Sequence, residues 1–183
     1  MTEFETRALE DTYLKSGFFE QLIEHAFVSE ILQEVYYGYG QVVEVLRSEL
    51  DASGYDLVLE CNGTMRHVQL KTSRPDGRTA VQKVHIKLAE KPGGCVVWIM
   101  RHEDPETRRM RLSYRYFGGE PSERLPSLDQ FKLAKHSKGD AFGEKKERPA
   151  IRVIPKSSFR VIETTSELVG VLFGLRITSD RPR

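Results

Sequence analysis

The chain has 183 residues, 39% hydrophobic and 30% charged, enough for one full-sized globular domain and short for two. No stretch approaches the roughly 20 uninterrupted apolar residues that a bilayer crossing requires, so a helical membrane protein is not expected. The net charge of +1 gives no argument for a polyanionic partner, yet residues 1–60 hold 13 Asp/Glu and 3 Lys/Arg while the remainder hold 14 and 25. That asymmetry suits a polyanion-facing side and equally suits ordinary solvated charge.

The start, Met1-Thr2-Glu3-Phe4-Glu5, is acidic and lacks the basic and apolar pattern of an export signal, so a cytoplasmic location is expected. Cys61 and Cys95 have no CxxC partner and read as reduced, partly buried thiols. In chain order the first element is a helix from Phe18 to about Tyr37, with Phe19, Leu22, Ile23, Ala26, Phe27, Ile31, Leu32 and Val35 at helical spacing, stopped by Gly38 and Gly40. Tyr36, Tyr37 and Tyr39 at its end read as packing residues rather than as base-stacking ones. Gln41 to Glu49 is short, β-branched and bounded by glycines, and predicts a strand.

Residues 55–61 and 64–72 flank Asn62-Gly63, a pair suited to a type I′ turn because both central positions need positive φ. A hairpin is therefore expected. Val81 to Leu88 fits either a strand or the start of a helix ending at Pro92-Gly93-Gly94. Cys95 to Met100 reads as a buried strand and Met110 to Phe117 as a half-exposed one. Ser127 with Gln130 has the capping-box pattern, predicting a helix to about His136, and 137–149 reads as an exposed loop. Ile151 to Ile162 is extended with a break at Pro155, and Thr164 with Glu167 opens a last helix through Phe173 that Gly174 closes. The order of elements gives an α/β or α+β class around one mixed sheet.

The hairpin carries the chemistry. A two-residue turn at Asn62-Gly63 pairs Cys61 with Thr64 and, counting outward, Leu57 with Val68 and Asp56 with Gln69. Directly opposed residues share a sheet face with Cβ atoms about 5 Å apart, and Lys71 joins that face two residues along. Leu57, Leu59, Val68 and Leu70 make the other face apolar, which leaves the polar set on the solvent side. A carboxylate beside an amide oxygen suits a hard divalent cation, and a neighbouring lysine can orient the attacking water and offset charge on a phosphorane.

At these residues the sequence resembles the PD-(D/E)XK nuclease superfamily, in its Gln-x-Lys variant. The signature is an Asp early in one strand and an acidic residue or Gln two before a Lys in the next, here Gly54-Tyr55-Asp56-Leu57-Val58-Leu59-Glu60 and Arg66-His67-Val68-Gln69-Leu70-Lys71-Thr72-Ser73. Small resolvase-like and intron-endonuclease-like members are the nearest in pattern, with a Glu-bearing helix before the first strand, a place that Glu24 occupies. The resemblance covers about 18–101, which would be the core of a single domain spanning 1–183, with 102–183 as a C-terminal elaboration. It implies a restriction-endonuclease-like α/β/α core of three layers with a mixed central sheet. It also implies Mg²⁺ or Mn²⁺ as cofactor, with Asp56, Gln69 and Leu70 as the metal positions, Asp56, Gln69, Lys71 and Glu24 as the catalytic set, and phosphodiester cleavage in DNA, with RNA as the alternative. Many such nucleases dimerise, so a homodimer is the associated expectation, although no residue sets the oligomeric state. Gln69 stands where most members have Glu or Asp, a departure that leaves open a lower metal affinity or a site that no longer cuts.

Several residues have plainer readings. Asp56 could cap a turn after Gly54, and Glu24 could lie on a solvated helix face with Glu20, Glu30 and Glu34. His67 reads as a structural or substrate-contacting residue rather than a ligand. Lys132, Lys135, Lys138, Lys145, Lys146 and Arg148 could track a phosphate backbone or form a solvated loop.

Overall fold

A computed structural model describes residues 16–48, 53–136 and 144–176. The first helix, α1 (Ser16–Gln33), continues into a π-helical turn over Glu34–Tyr39, and Gly40, with φ of 66°, ends it in the left-handed region. The strands and helices that follow are β1 (Glu44–Arg47), β2 (Leu57–Cys61), β3 (Thr64–Ser73), β4 (Val81–His85), the single helical turn α2 (Lys87–Glu90), β5 (Gly94–Asp104), β6 (Arg109–Gly118), β7 (Lys132–Lys135), β8 (Glu147–Pro155), β9 (Arg160–Ile162) and α3 (Thr165–Phe173).

Six strands form the main sheet in the order β1-β2-β3-β5-β6-β9, and three form a smaller one in the order β4-β8-β7. Within the main sheet β3 and β5 run parallel and every other neighbouring pair is antiparallel, so the sheet is mixed. A parallel pair requires a crossover, usually a helix. Here the crossover is β4 followed by α2. That resolves the ambiguity of Val81 to Leu88, where the alternation belongs to a strand and the apolar end to a helical turn.

The hairpin register is the expected one from Leu57↔Val68 to Cys61↔Thr64. Asn62 and Gly63 take φ values of 50° and 80°, and the Glu60 carboxylate accepts the Gly63 N–H at 2.6 Å, tightening the turn. Strict alternation then separates two cores. On one face Leu57, Leu59, Val68, Val97 and Ile99 pack against Ile23, Phe27 and Ile31 of α1 and Leu168 and Leu172 of α3. On the other, Val96, Trp98, Met100 and Phe117 pack against Val84 of β4, Ile154 of β8, Leu88 of α2 and Phe159.

The class is thus mixed α/β. The layer opposite α1 and α3 is the smaller sheet with the one turn of α2, not the second helical layer of an α/β/α sandwich. The physical reason lies in the crossover and C-terminal segments, whose side chains alternate along strands instead of repeating at helical spacing. The helix expected from Ser127 to His136 is also absent. The Ser127 hydroxyl accepts the Asp129 N–H at 3.3 Å and bonds the Asp129 carboxylate, a local turn two residues on rather than a helix cap three residues on, and β7 follows. Residues 147–149, expected in a loop, begin β8, while 137–143, with Lys138, lie outside the described residues. Tyr36 and Tyr37, read as packing residues, stand exposed at 59% and 75% in an edge-to-face pair. Tyr39 is half-buried beside Ser166.

The C-terminal helix is built as its sequence predicts. The Thr164 hydroxyl accepts the Glu167 N–H at 3.1 Å, the Glu167 carboxylate accepts the Glu163 N–H, and Gly174 closes the helix at φ of 72°. Its last-turn carbonyls are held by Arg66, a fully buried side chain whose guanidinium donates to Leu172 at 2.6 Å, Val171 at 2.8 Å and Gly119 at 3.2 Å. A cation at a helix C-terminus meets both orphan carbonyls and the negative end of the helix dipole. At the other end of α3, Glu30 of α1 accepts hydrogen bonds from Tyr114 of β6 and Thr165, tying three elements to one carboxylate.

Candidate functional site

The hairpin places Asp56 just before β2 begins. Its N–H donates to the Val68 carbonyl at 2.9 Å, and its Oδ2 accepts the Leu70 N–H at 2.6 Å. One residue thus continues the ladder to β3 past the end of β2, first with backbone and then with side chain. The turn-capping reading of Asp56 gave way to a strand-capping one. Leu70 has its amide committed to Asp56 and a half-buried side chain packed on the helix-side core, so only its carbonyl oxygen could join a ligand set.

Gln69, Lys71 and Ser73 lie on the β3 face beside Val96, Trp98 and Met100 of β5. This is the face that the smaller sheet covers, not an open one. Gln69 retains 8% exposure, and its Oε1 is buried without a hydrogen-bond partner, while Asp56 and Lys71 are half-buried. Trp98 Nε1 donates to Ser73 Oγ at 3.0 Å, fixing the exit of β3. Toward the turn, His67 meets the edge of Tyr55 with ring centroids 4.8 Å apart and pairs through Nδ1 with the Pro92 carbonyl at 2.7 Å, which makes it structural. Lys91 Nζ stands 5.6 Å from the centre of the Tyr55 ring.

Glu24 is set apart from this group. It belongs to α1, on the other face of the main sheet, and its Oε1 pairs with Arg47 Nε of β1 at 2.6 Å. Arg47 is the register partner of Leu57, so the pair lies near the Asp56 end of β2. The structure therefore brings Asp56, Gln69 and Lys71 to one end of the hairpin, Gln69 and Lys71 on one face of β3 and Asp56 just before β2 against Val68 and Leu70, and leaves Glu24 in a separate ion pair.

An orphaned buried amide oxygen costs stability unless something polar meets it. A hard cation would meet Gln69 Oε1 with the donor chemistry it favours, and Asp56 supplies the charge. Among the described residues there is no group of three His, Cys, Asp or Glu side chains that could hold a metal ion. A carboxylate and an amide oxygen alone would leave most of a hard cation's coordination to water or to substrate oxygens. The cysteines have no part in this. Both are free, and burial pushes the Cys95 thiol up to about 12, outweighing the nearby Arg66 and Tyr116.

Sequence reasoning passed over the arginines of the β5–β6 hairpin. Its ten-rung register brings Arg101, Arg108 and Arg109 to the sheet end where Arg74 follows β3. The signal was the alternating pattern of two strands read together, which reveals convergence only once their pairing is known.

No protein-family model matches the chain, no curated protein matches it, and no solved structure matches its fold.

Proposed function

We propose that this protein is a metal-dependent nuclease of the PD-(D/E)XK kind acting on phosphodiester bonds in DNA. In this reading the main sheet with α1 corresponds to the restriction-endonuclease-like core, and the smaller sheet takes the place of its far helical layer. One observation carries the reading: the buried, unpartnered Oε1 of Gln69 shares a hairpin end with the Asp56 carboxylate and the Lys71 ammonium. Asp56 and Gln69 would hold Mg²⁺ or Mn²⁺, with the Leu70 carbonyl as a third oxygen. The ion, when bound, polarises the scissile phosphate and makes its water more acidic. Lys71 would orient that water and offset the charge that develops as the water oxygen bonds to phosphorus and the bond to the leaving sugar oxygen breaks. Glu24 could join only by exchanging Arg47 for the ion.

The test is cutting of plasmid DNA in Mg²⁺ or Mn²⁺ by the parent chain and by Asp56→Asn and Lys71→Ala. The parent should nick or linearise and both variants should lose at least about 100-fold, the scale of one electrostatic contributor. Equal cutting by all three would remove the assignment.

A second reading has its own support, namely the commitment of Asp56 Oδ2 to a backbone N–H and of Glu24 to Arg47. Under it the fold is a nucleic-acid or protein adaptor with no cutting activity. Absence of Mn²⁺ binding at millimolar concentration, together with absence of nicking, would favour it.

A further inference from the structure

On the helix side, beyond the ends of β3 and β5, a cleft of about 940 Å³ opens between α1 and the β5–β6 hairpin. Its floor is apolar, from Phe19 and Leu22 of α1 and Met110 of β6, and Leu22 is 41% exposed there. The Arg101 guanidinium lies 5.3 Å from the centre of the Phe19 ring, a cation–π contact that sets positive charge against the aromatic face. Arg74, which pairs with the exposed Asp76 at 3.6 Å, and Arg108 and Arg109 also line the cleft.

Two acids share the cleft, and both are spent within the hairpin. Glu103 pairs with Arg101 at 3.2 Å. The Asp104 carboxylate is held low in pKa by the Thr107 side chain and then by the N–H groups of Thr107 and Glu106, whose bonds also cap the turn 105–108. No ion pair or side-chain hydrogen bond holds the Arg108 or Arg109 guanidinium among the described residues. Arg108 also sits at φ of 53°, a left-handed conformation that costs any residue with a Cβ and that Gly or Asn would adopt more readily. A bulky cation kept at a strained turn position points to a role for the charge.

We propose that this cleft binds an unpaired nucleic-acid strand, its phosphates on Arg74, Arg108 and Arg109 and a base on the floor of Phe19, Leu22 and Arg101. The inference rests on the nuclease reading and deepens it, since it names a strand with unpaired bases as what that end of the sheet receives. A duplex shows a protein mainly phosphates and groove edges, and it would leave the apolar floor uncovered. Single strands combine charge with stacking, which is what the arginines and the floor offer together.

The experiment is fluorescence anisotropy of a labelled single-stranded DNA of about 12 nucleotides, a matched duplex and a polyglutamate competitor, in EDTA at ~50 mM salt. The parent chain should bind the single strand at least about fivefold more tightly than the duplex, as a stacking contribution requires. Arg108→Gly should weaken that binding about threefold or more while raising the melting temperature, because it removes a phosphate contact and the strain together. Unchanged affinity in Arg108→Gly, equal affinity for duplex, or displacement by polyglutamate at equal charge would each overturn the proposal. A parent chain that binds the single strand yet cuts nothing in Mg²⁺ or Mn²⁺ would sink the nuclease reading alone, and lost binding in Arg108→Gly with intact cutting the cleft alone.

Discussion

Asp56 Oδ2 accepts the Leu70 N–H at 2.6 Å, so the acid proposed to hold a cation also fastens the end of β2 to β3. Its two roles separate by substitution. Asp56→Asn retains an acceptor and should cost less than about 1 kcal/mol, whereas Asp56→Ala leaves the Leu70 N–H unmet and should cost about 1.5–3 kcal/mol, the range for a hydrogen bond to a charged group. Urea unfolding of both variants measures the difference, and equal stabilities would show that this hydrogen bond contributes nothing.

Gln69→Glu places a carboxylate where the orphaned oxygen now stands. In chelator the buried charge should lower stability by about 3 kcal/mol. Saturating Mn²⁺ should restore most of that loss and raise the melting temperature of the variant more than that of the parent chain. A melting curve indifferent to Mn²⁺ in both proteins would contradict a cation at this position.

Arg66→Ala removes the donor shared by the Leu172 and Val171 carbonyls at the end of α3 and the Gly119 carbonyl just after β6. The expected loss is about 3 kcal/mol or more, from unsatisfied acceptors and the cavity left by a large side chain. Hydrogen exchange should show α3 opening ahead of the main sheet. Protection lost uniformly across both would argue that Arg66 has no special hold on the helix.

Alkaline pH should destabilise the fold. Burial raises the Cys95 thiol from 9.0 to about 12, and burial with Glu30 raises Tyr114 above its usual 10.0. Groups whose folded pKa is raised contribute in full below the unfolded value and lose that contribution as pH climbs toward the folded one. For Cys95 the loss falls between pH 9.0 and about 12, at about 1.4 kcal/mol for each pH unit. Cys95→Ala should flatten the stability profile above pH 9.0 by one proton's slope, and an unaltered slope would refute this account.

Thr164→Ala removes the N-cap of α3 and should cost about 1 kcal/mol, read as a shift in denaturation midpoint without a change in slope.

Local signals were legible where one side chain decides one conformation. Asn62-Gly63 dictated the hairpin and its register, and Thr164 with Glu167 and Gly174 dictated both ends of α3. The shared face of Gln69 and Lys71 followed from alternation along β3, whereas Asp56 lies past the end of the register and bonds Val68 and Leu70 instead. What covers the face did not follow, because the partner strand β8 lies about seventy residues along the chain from β4, its neighbour, and pairing at such separation leaves no mark in either segment. Ser127 misled for a related reason. Its hydroxyl can serve a turn or a helix, and burial of Leu125 and Leu128 against the second core selects the turn. Arg66 read as one more strand residue across from Leu59, since nothing near it in sequence announces a helix end more than a hundred residues away.

The path of the chain between its sheets has an evolutionary consequence. After β3 it enters the smaller sheet as β4 and returns as β5, and after β8 it turns at Lys156–Ser158 to complete the larger sheet as β9. Each layer borrows a strand from a stretch that begins or ends in the other. Neither can be shed, duplicated or grafted as a module without leaving the other unfinished, so change in this protein must run through its loops and turns.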